Sequence, residues 1–151
     1  DYQTLLLLAS LFVVIGCIDH VGVIDKLAEG LAKLGGSNVF LMYTLLVFVS
    51  VVVAAVADNI PYVMAMLPVV SGVATSMGVD PTVLYFGLLV GATLGGNITP
   101  IGASANITGI GMLRKEGYNV KAKDFMKISV PFTLTAVLSG YAFIWIFYGI
   151  L

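Results

Sequence analysis

Four long runs without a single charged side chain constrain this chain more than anything else in it. They are Asn38 to Ala57, Asn59 to Val79, the residues between Asp80 and Arg114, and Ile128 to Leu151. Each meets or approaches the ~20 residues that a helix needs to cross the hydrocarbon layer of a membrane. The remaining composition agrees, because only 10% of residues are charged and mean hydropathy is +1.07, against roughly 25% charged residues in a soluble domain. The expected fold class is therefore all-α, a polytopic membrane protein. A net charge of −1 gives no basic footprint for nucleic acid. The one cysteine, Cys17, allows no intrachain disulfide and no Cys-rich metal site.

In chain order, Thr4 to Ile18 reads as an apolar helix, a little short for a span. It lacks the basic flank and cleavage site of a signal peptide, and with Asp1 in first place it reads as an internal cut in something longer. From Asp19 to Leu34 apolar residues recur at helical spacing opposite Asp25, Lys26, Glu29 and Lys33, which predicts an amphipathic helix in the membrane interface. Gly35-Gly36-Ser37-Asn38 should end it.

The apolar run Asn38 to Ala57 stops at Asp58-Asn59-Ile60-Pro61, and Tyr62 to Met77 begins at once. Asp58 or Asn59 can cap the second helix and Pro61 suits its first turn, which gives a helical hairpin with a polar tip. Asp58 is the sole charged residue between Asn38 and Val79, so the tip is expected to stop inside the membrane as a re-entrant hairpin.

Asp80-Pro81 opens the next helix, in which Gly87, Gly91 and Gly95 line one face for close approach of a neighbour. Gly95-Gly96 and Pro100 then break it, and Ile107 to Leu113 resumes as a half-helix with Asn106 placed to cap it. Arg114 to Lys127 is polar, with a turn at Gly117-Tyr118-Asn119 and a short amphipathic piece around Phe125 and Met126. Ile128 to Leu151 spans once more, with Tyr141, Trp145 and Tyr148 as interface anchors. Arg114, Lys115, Lys121, Lys123 and Lys127 supply five of the seven basic residues, which makes that stretch cytoplasmic and the C-terminus external.

Two constellations carry chemistry. A carboxylate at membrane depth costs on the order of 2.5 to 3.5 kcal/mol on insertion scales, so Asp58 calls for a cation, a proton or a buried partner. The bland alternative is a helix cap at an exposed turn. Asn97, Thr99, Ser104 and Asn106 lie on the broken segment, where hydroxyls, amides and freed carbonyls suit Na⁺ and the amides of half-helix starts suit an anion. The alternative there is a kink satisfied by neighbouring helices. Enzyme readings fail: Gly102-Ala103-Ser104-Ala105-Asn106 lacks the last glycine of a nucleophile elbow, and His20 is the only histidine, so no metal site rests on a histidine pair.

Asp58-Asn59-Ile60-Pro61 together with Leu94-Gly95-Gly96-Asn97-Ile98-Thr99-Pro100-Ile101-Gly102-Ala103-Ser104-Ala105-Asn106 resembles the paired signatures of the ion transporter superfamily. That group holds arsenite permeases, NhaD-type sodium/proton antiporters, the P protein family and citrate transporters, and the pair is most similar to the P-protein and arsenite-permease branch. The Ser-Asn-Thr tip of dicarboxylate members is absent. The resemblance implies two inverted repeats, each with a re-entrant hairpin and a discontinuous helix, residues 1–151 being the C-terminal one. It implies a site for substrate and cation at Asp58, Asn59, Pro61, Asn97, Thr99, Gly102, Ser104 and Asn106, with Na⁺ held by Asp58, Asn97, Thr99, Ser104 and Asn106. It further implies no cofactor beyond Na⁺ or H⁺ as coupling ion, and as partners a small ion, the lipid bilayer, the missing N-terminal repeat and a second copy in a homodimer. The expected location is a bacterial or archaeal inner membrane. The resulting expectation is a secondary transporter of a small anion, or a Na⁺/H⁺ exchanger, working by alternating access; the alternative is a channel or a scaffold subunit.

Overall fold

The structure is a computed structural model that describes residues 20–150, together with residues 6, 9, 10, 13, 14, 16 and 17. The helix expected over Thr4 to Ile18 lies largely outside the described residues. Every described element is helical: α1 (Val23–Gly35), α2 (Val39–Ala54), α3 (Asn59–Met77), α4 (Thr82–Gly95), α5 (Ser104–Lys115) and α6 (Ala122–Ile144), the last running on into a π-type turn at Trp145–Gly149.

Local chemistry sets most of the boundaries. Gly36 and Gly78 follow α1 and α3 with φ of 58° and 66°, a left-handed conformation that glycine reaches without steric cost. Asn38 caps α2 by accepting the Leu41 amide at 3.1 Å. Asp80 accepts the Thr82 amide at 2.8 Å and so opens α4. One boundary differs from expectation: the piece around Phe125 and Met126 is not separate but forms the first turns of α6, which runs unbroken from Ala122. Nothing between Lys121 and Ile128 breaks a helix, and the exposed lysines there extend it beyond its apolar part.

Packing is organised by the glycine face of α4. Gly87 lies against Tyr43, Gly91 against the Val47 carbonyl and Gly95 against Val51, so α4 runs parallel to α2 with the two backbones nearly touching. An alanine methyl at Gly95 would come within 2.6 Å of the Val51 backbone. On its other side α4 meets α6 in antiparallel register, with Phe86 beside Tyr148, Val90 beside Gly140 and Ile98 beside Ser129. Met42, Tyr43, Val47, Leu84, Leu88, Val70, Val73 and Val137 are buried in the common core.

Because α4 fills the space beside α2, the arms of the hairpin splay. Helix α3 packs against α4 and α1 rather than along α2, although the Ser50 and Tyr62 hydroxyls hydrogen-bond at 3.0 Å near the tip. The chain bends by 120° between α1 and α2, and α1 docks on the later turns of α3, Ala28 against Gly72. Val23, Leu27 and Leu34 of α1 remain exposed, as an interfacial helix requires. At the far end from the breaks, Tyr43 donates to the Tyr141 carbonyl at 2.9 Å and stacks on its ring.

Among the described residues two helices, Asn59–Met77 and the continuous Ala122–Gly149, are long and apolar enough to cross a membrane. Helix α4, with 14 residues, reaches only ~21 Å at 1.5 Å per residue and needs its continuation to span ~30 Å. Large side chains such as Phe132, Leu138 and Phe143 point outward from α6, which suits lipid. The chain is an all-α polytopic membrane protein.

Candidate functional site

The site forms where two helices stop at one level. Since Gly95 packs on Val51, the ends of α2 and α4 are side by side. Ile98, just past the end of α4, is tied to Ser129, at the start of the apolar part of α6. The end of α2 therefore lies level with the break in the α4–α5 helix.

Residues 96–103 fold into tight turns. The Asn97 amide donates to the Leu94 carbonyl and the Ile98 amide to the Gly95 carbonyl, each at 3.0 Å. Gly102 comes back against Gly96 and against the end of α2: a methyl there would lie 2.5 Å from the Gly96 oxygen and 2.9 Å from the oxygens of Ala54 and Ala55. No residue with a Cβ fits that crossing.

Each carbonyl freed by these breaks needs a donor, since an unpaired one at membrane depth costs several kcal/mol. Thr99 Oγ1 donates to the Ala55 carbonyl and so links the two breaks. Asn106 Nδ2 donates to the carbonyls of Gly96 and Thr99, both at 3.0 Å, and Ser129 Oγ donates to that of Ile98 at 2.8 Å. Asn106 was expected to cap α5 and does not. The N-cap residue is Ala103, with no side-chain bond to the helix start, while Asn106 in the first turn reaches backward across the break.

The sequence-derived residues thus fall into groups. Thr99, Gly102 and Asn106 come together against the end of α2. Asp58 is exposed just beyond that end and caps α3, accepting the Ile60 amide at 3.2 Å. Pro61 occupies the first turn of α3, where its missing N–H costs nothing. Asn59 lines a small cavity of ≈ 210 Å³ with Val63, Leu89 and Thr93. Asn97 opens on the other side of α4, into a groove of ≈ 610 Å³ against α6. Ser104 is exposed at the first position of α5. Sequence reasoning missed Ser129; the signal for it was a pair of hydroxyls, Ser129 and Thr133, one helical turn apart at the start of the last apolar run.

Electrostatically the arrangement has two signs. The carbonyl ends of α2 and α4 carry partial negative charge and suit a cation, whereas the amide ends of α3 and α5 carry partial positive charge and suit an anion. Four helix ends thus gather where the end of α2 meets the break after α4, which makes this a membrane protein with a broken helix.

Comparison with known proteins identifies the particular group. The chain belongs to the citrate transporter family, whose model, described as "Citrate transporter", matches residues 1–151. It is 33% identical over 153 residues to an uncharacterized transporter of Mycobacterium tuberculosis, which covers 100% of this chain and 36% of the relative. It is 32% identical over 147 residues to an uncharacterized transporter of Synechocystis, covering 87% of this chain and 33% of the relative. The human P protein is 30% identical over 151 residues, covering 95% of this chain and 18% of the relative. The chain thus spans about a third of the length of the mycobacterial and cyanobacterial relatives. No solved structure matches it.

Proposed function

We propose that the complete protein is a secondary transporter that moves a small ion across the membrane by alternating access, and that this chain contributes half of its site. The observation that carries the reading is the junction of the two breaks, where Thr99 bonds the Ala55 carbonyl and Gly102 packs on Ala54 and Ala55. Broken helices meeting at one depth are the device by which transporters hold ions in lipid.

Asp58 and the Asn97 to Asn106 segment would face the second half of the site, supplied by an N-terminal repeat. Thr99 and Asn106, which come together against the end of α2, would bind Na⁺, or Asp58 would carry H⁺, and the uncapped start of α5 would receive the negative end of an anion. Family membership favours a small carboxylate anion; Na⁺/H⁺ exchange uses the same groups. No residue is assigned a catalytic role. With Arg114 to Lys127 on the cytoplasmic side, the ends of the hairpin and the C-terminus face outward, in an inner membrane if the source is bacterial, as the mycobacterial and cyanobacterial relatives suggest, with two copies forming a homodimer.

A static reading also has an observation behind it. Asn106 and Ser129 satisfy the break internally, as a scaffold or channel subunit would need. Reconstitution of the complete protein into vesicles separates the two. A transporter accumulates labelled citrate, or exchanges Na⁺ for H⁺, only under an ion gradient, and Asp58→Asn abolishes that dependence. Gradient-driven uptake that survives Asp58→Asn unchanged would remove the coupling role, and flux that never exceeds equilibration would leave a channel.

A further inference from the structure

The groove beside Asn97 lies outside the junction of the two breaks. It runs between the end of α5, the loop at residues 116–121 and the first turns of α6. Leu113, Val120, Phe125, Ile128 and Phe132 form its walls, with Asn97 and Ser129 among its polar lining. Ile128 and Phe132 are 76% and 65% exposed, so the walls offer hydrocarbon that nothing among the described residues covers.

The chain that flanks these lining residues is rich in basic residues, although Asp124 is the one charged residue in the lining itself. Arg114 follows Leu113, Lys121 follows Val120, Lys123 precedes Asp124 and Lys127 precedes Ile128; with Lys115 that makes five basic residues, all exposed, against Glu116 and Asp124. The Arg114 guanidinium donates to the Val120 carbonyl at 3.4 Å and closes the loop over the groove.

We propose that this groove binds an anionic phospholipid, with an acyl chain along the apolar walls and the phosphate headgroup among the flanking lysines. Charge and shape together select that occupant. Basic pockets between helices on the cytoplasmic side attract acidic headgroups, with each Lys or Arg adding to the attraction. A hydrated small anion would leave the walls bare and would meet the Asp124 carboxylate that also lines the groove, whereas a lipid places only its chain inside. The chain would abut Ser129, whose hydroxyl holds the Ile98 carbonyl, so occupancy bears on the unwound segment. The proposal rests on the transporter reading only for the side of the membrane.

The test is native mass spectrometry of the complete protein titrated with phosphatidylglycerol or phosphatidylcholine, with uptake measured in vesicles of each. Phosphatidylglycerol should be retained preferentially. The triple change Lys121→Gln, Lys123→Gln, Lys127→Gln should weaken it on the order of a hundredfold. Ile128→Trp, at an exposed wall position that leaves the core untouched, should block the groove in a protein that keeps its melting temperature. Equal retention of the two lipids, or unchanged retention in both variants, overturns the proposal. So does displacement of phosphatidylglycerol by millimolar inorganic phosphate, which would make the groove an aqueous anion vestibule. A phosphatidylglycerol preference without gradient-driven uptake leaves this site standing while the transporter reading falls, and uptake without the preference does the reverse.

Discussion

The Asn106 side-chain amide spans the break in the α4–α5 helix and donates to the Gly96 carbonyl at 3.0 Å, ten residues back in the chain. Because the same nitrogen also reaches the Thr99 carbonyl, two acceptors fix the orientation of the amide. One side chain therefore supplies a donor to the Gly96 carbonyl, which in an unbroken helix would face position 100, where proline has no N–H.

Asn106→Ala should accordingly loosen the break. The Gly96 carbonyl would lose its donor and the Thr99 carbonyl would keep only the Gly102 amide at 3.4 Å; a buried carbonyl without a donor costs about 1–3 kcal/mol, so the melting temperature of the complete protein in detergent should fall, and transport should fall with it. Asn106→Asp offers only acceptors when ionised and should be no better than alanine at neutral pH. Wild-type stability in Asn106→Ala would mean that water satisfies both carbonyls equally well.

The glycine face of α4 gives a prediction with a built-in control. A methyl on Gly91 would collide with the Val47 carbonyl and lie 2.8 Å from Ser50 Cβ. Backbone cannot yield as a side-chain tip does, so Gly91→Ala should force α2 and α4 apart at a cost of about 1–3 kcal/mol. Gly109 in α5 has nothing within 4 Å of the same methyl, and Gly109→Ala should be neutral or stabilise by up to ~1 kcal/mol through helix propensity. Chemical denaturation of both variants in one detergent measures the contrast.

How far the sequence carried follows from the range of each interaction. The tip at Asp58 and the break at Gly95 and Gly96 were legible because capping, proline and glycine act within one turn of chain. The stripe of Gly87, Gly91 and Gly95 announced a close approach, but not that its partner is α2 in parallel register, since nothing local encodes which helix arrives. That parallel pairing also explains the splayed hairpin, which adjacency in sequence did not suggest. Asn106 was read as a cap because capping is the nearest task for an asparagine at a helix start; a carbonyl ten residues back is a tertiary partner. Ser129 escaped for the same reason. Asp58 and Asn97 do not converge within this chain: one caps α3 and the other lines the groove against α6.

Acid should expose the cap of α4. A hydrogen bond from the Thr82 side chain, and then one from the Thr82 amide, lower the Asp80 pKa below the ordinary carboxylate value. A depressed folded-state pKa gives a contribution that is complete above the unfolded value and is lost as pH falls through the folded one. The melting-temperature difference between wild type and Asp80→Ala should therefore be largest near neutral pH. It should shrink steadily once the pH drops below the usual carboxylate range. A difference independent of pH would show that the carboxylate charge contributes nothing to the cap.

Thr133 carries the last prediction. It lies one helical turn beyond Ser129 on the face of α6 turned to α4, its side chain is 1% exposed, and its hydroxyl has no hydrogen-bond partner. A buried, unpaired hydroxyl costs about 1–3 kcal/mol, whereas valine fills the same volume with no polar atom. Thr133→Val should therefore raise the melting temperature or leave it unchanged, unlike nearly every other change of a buried residue. The comparison with Ser129→Ala sharpens the test. Ser129 serves the Ile98 carbonyl, so its loss should destabilise the break even though the residue is smaller and less deeply buried. If Thr133→Val lowered stability as much as Ser129→Ala, its hydroxyl would have to serve the unwound segment as well, in a conformation other than this one.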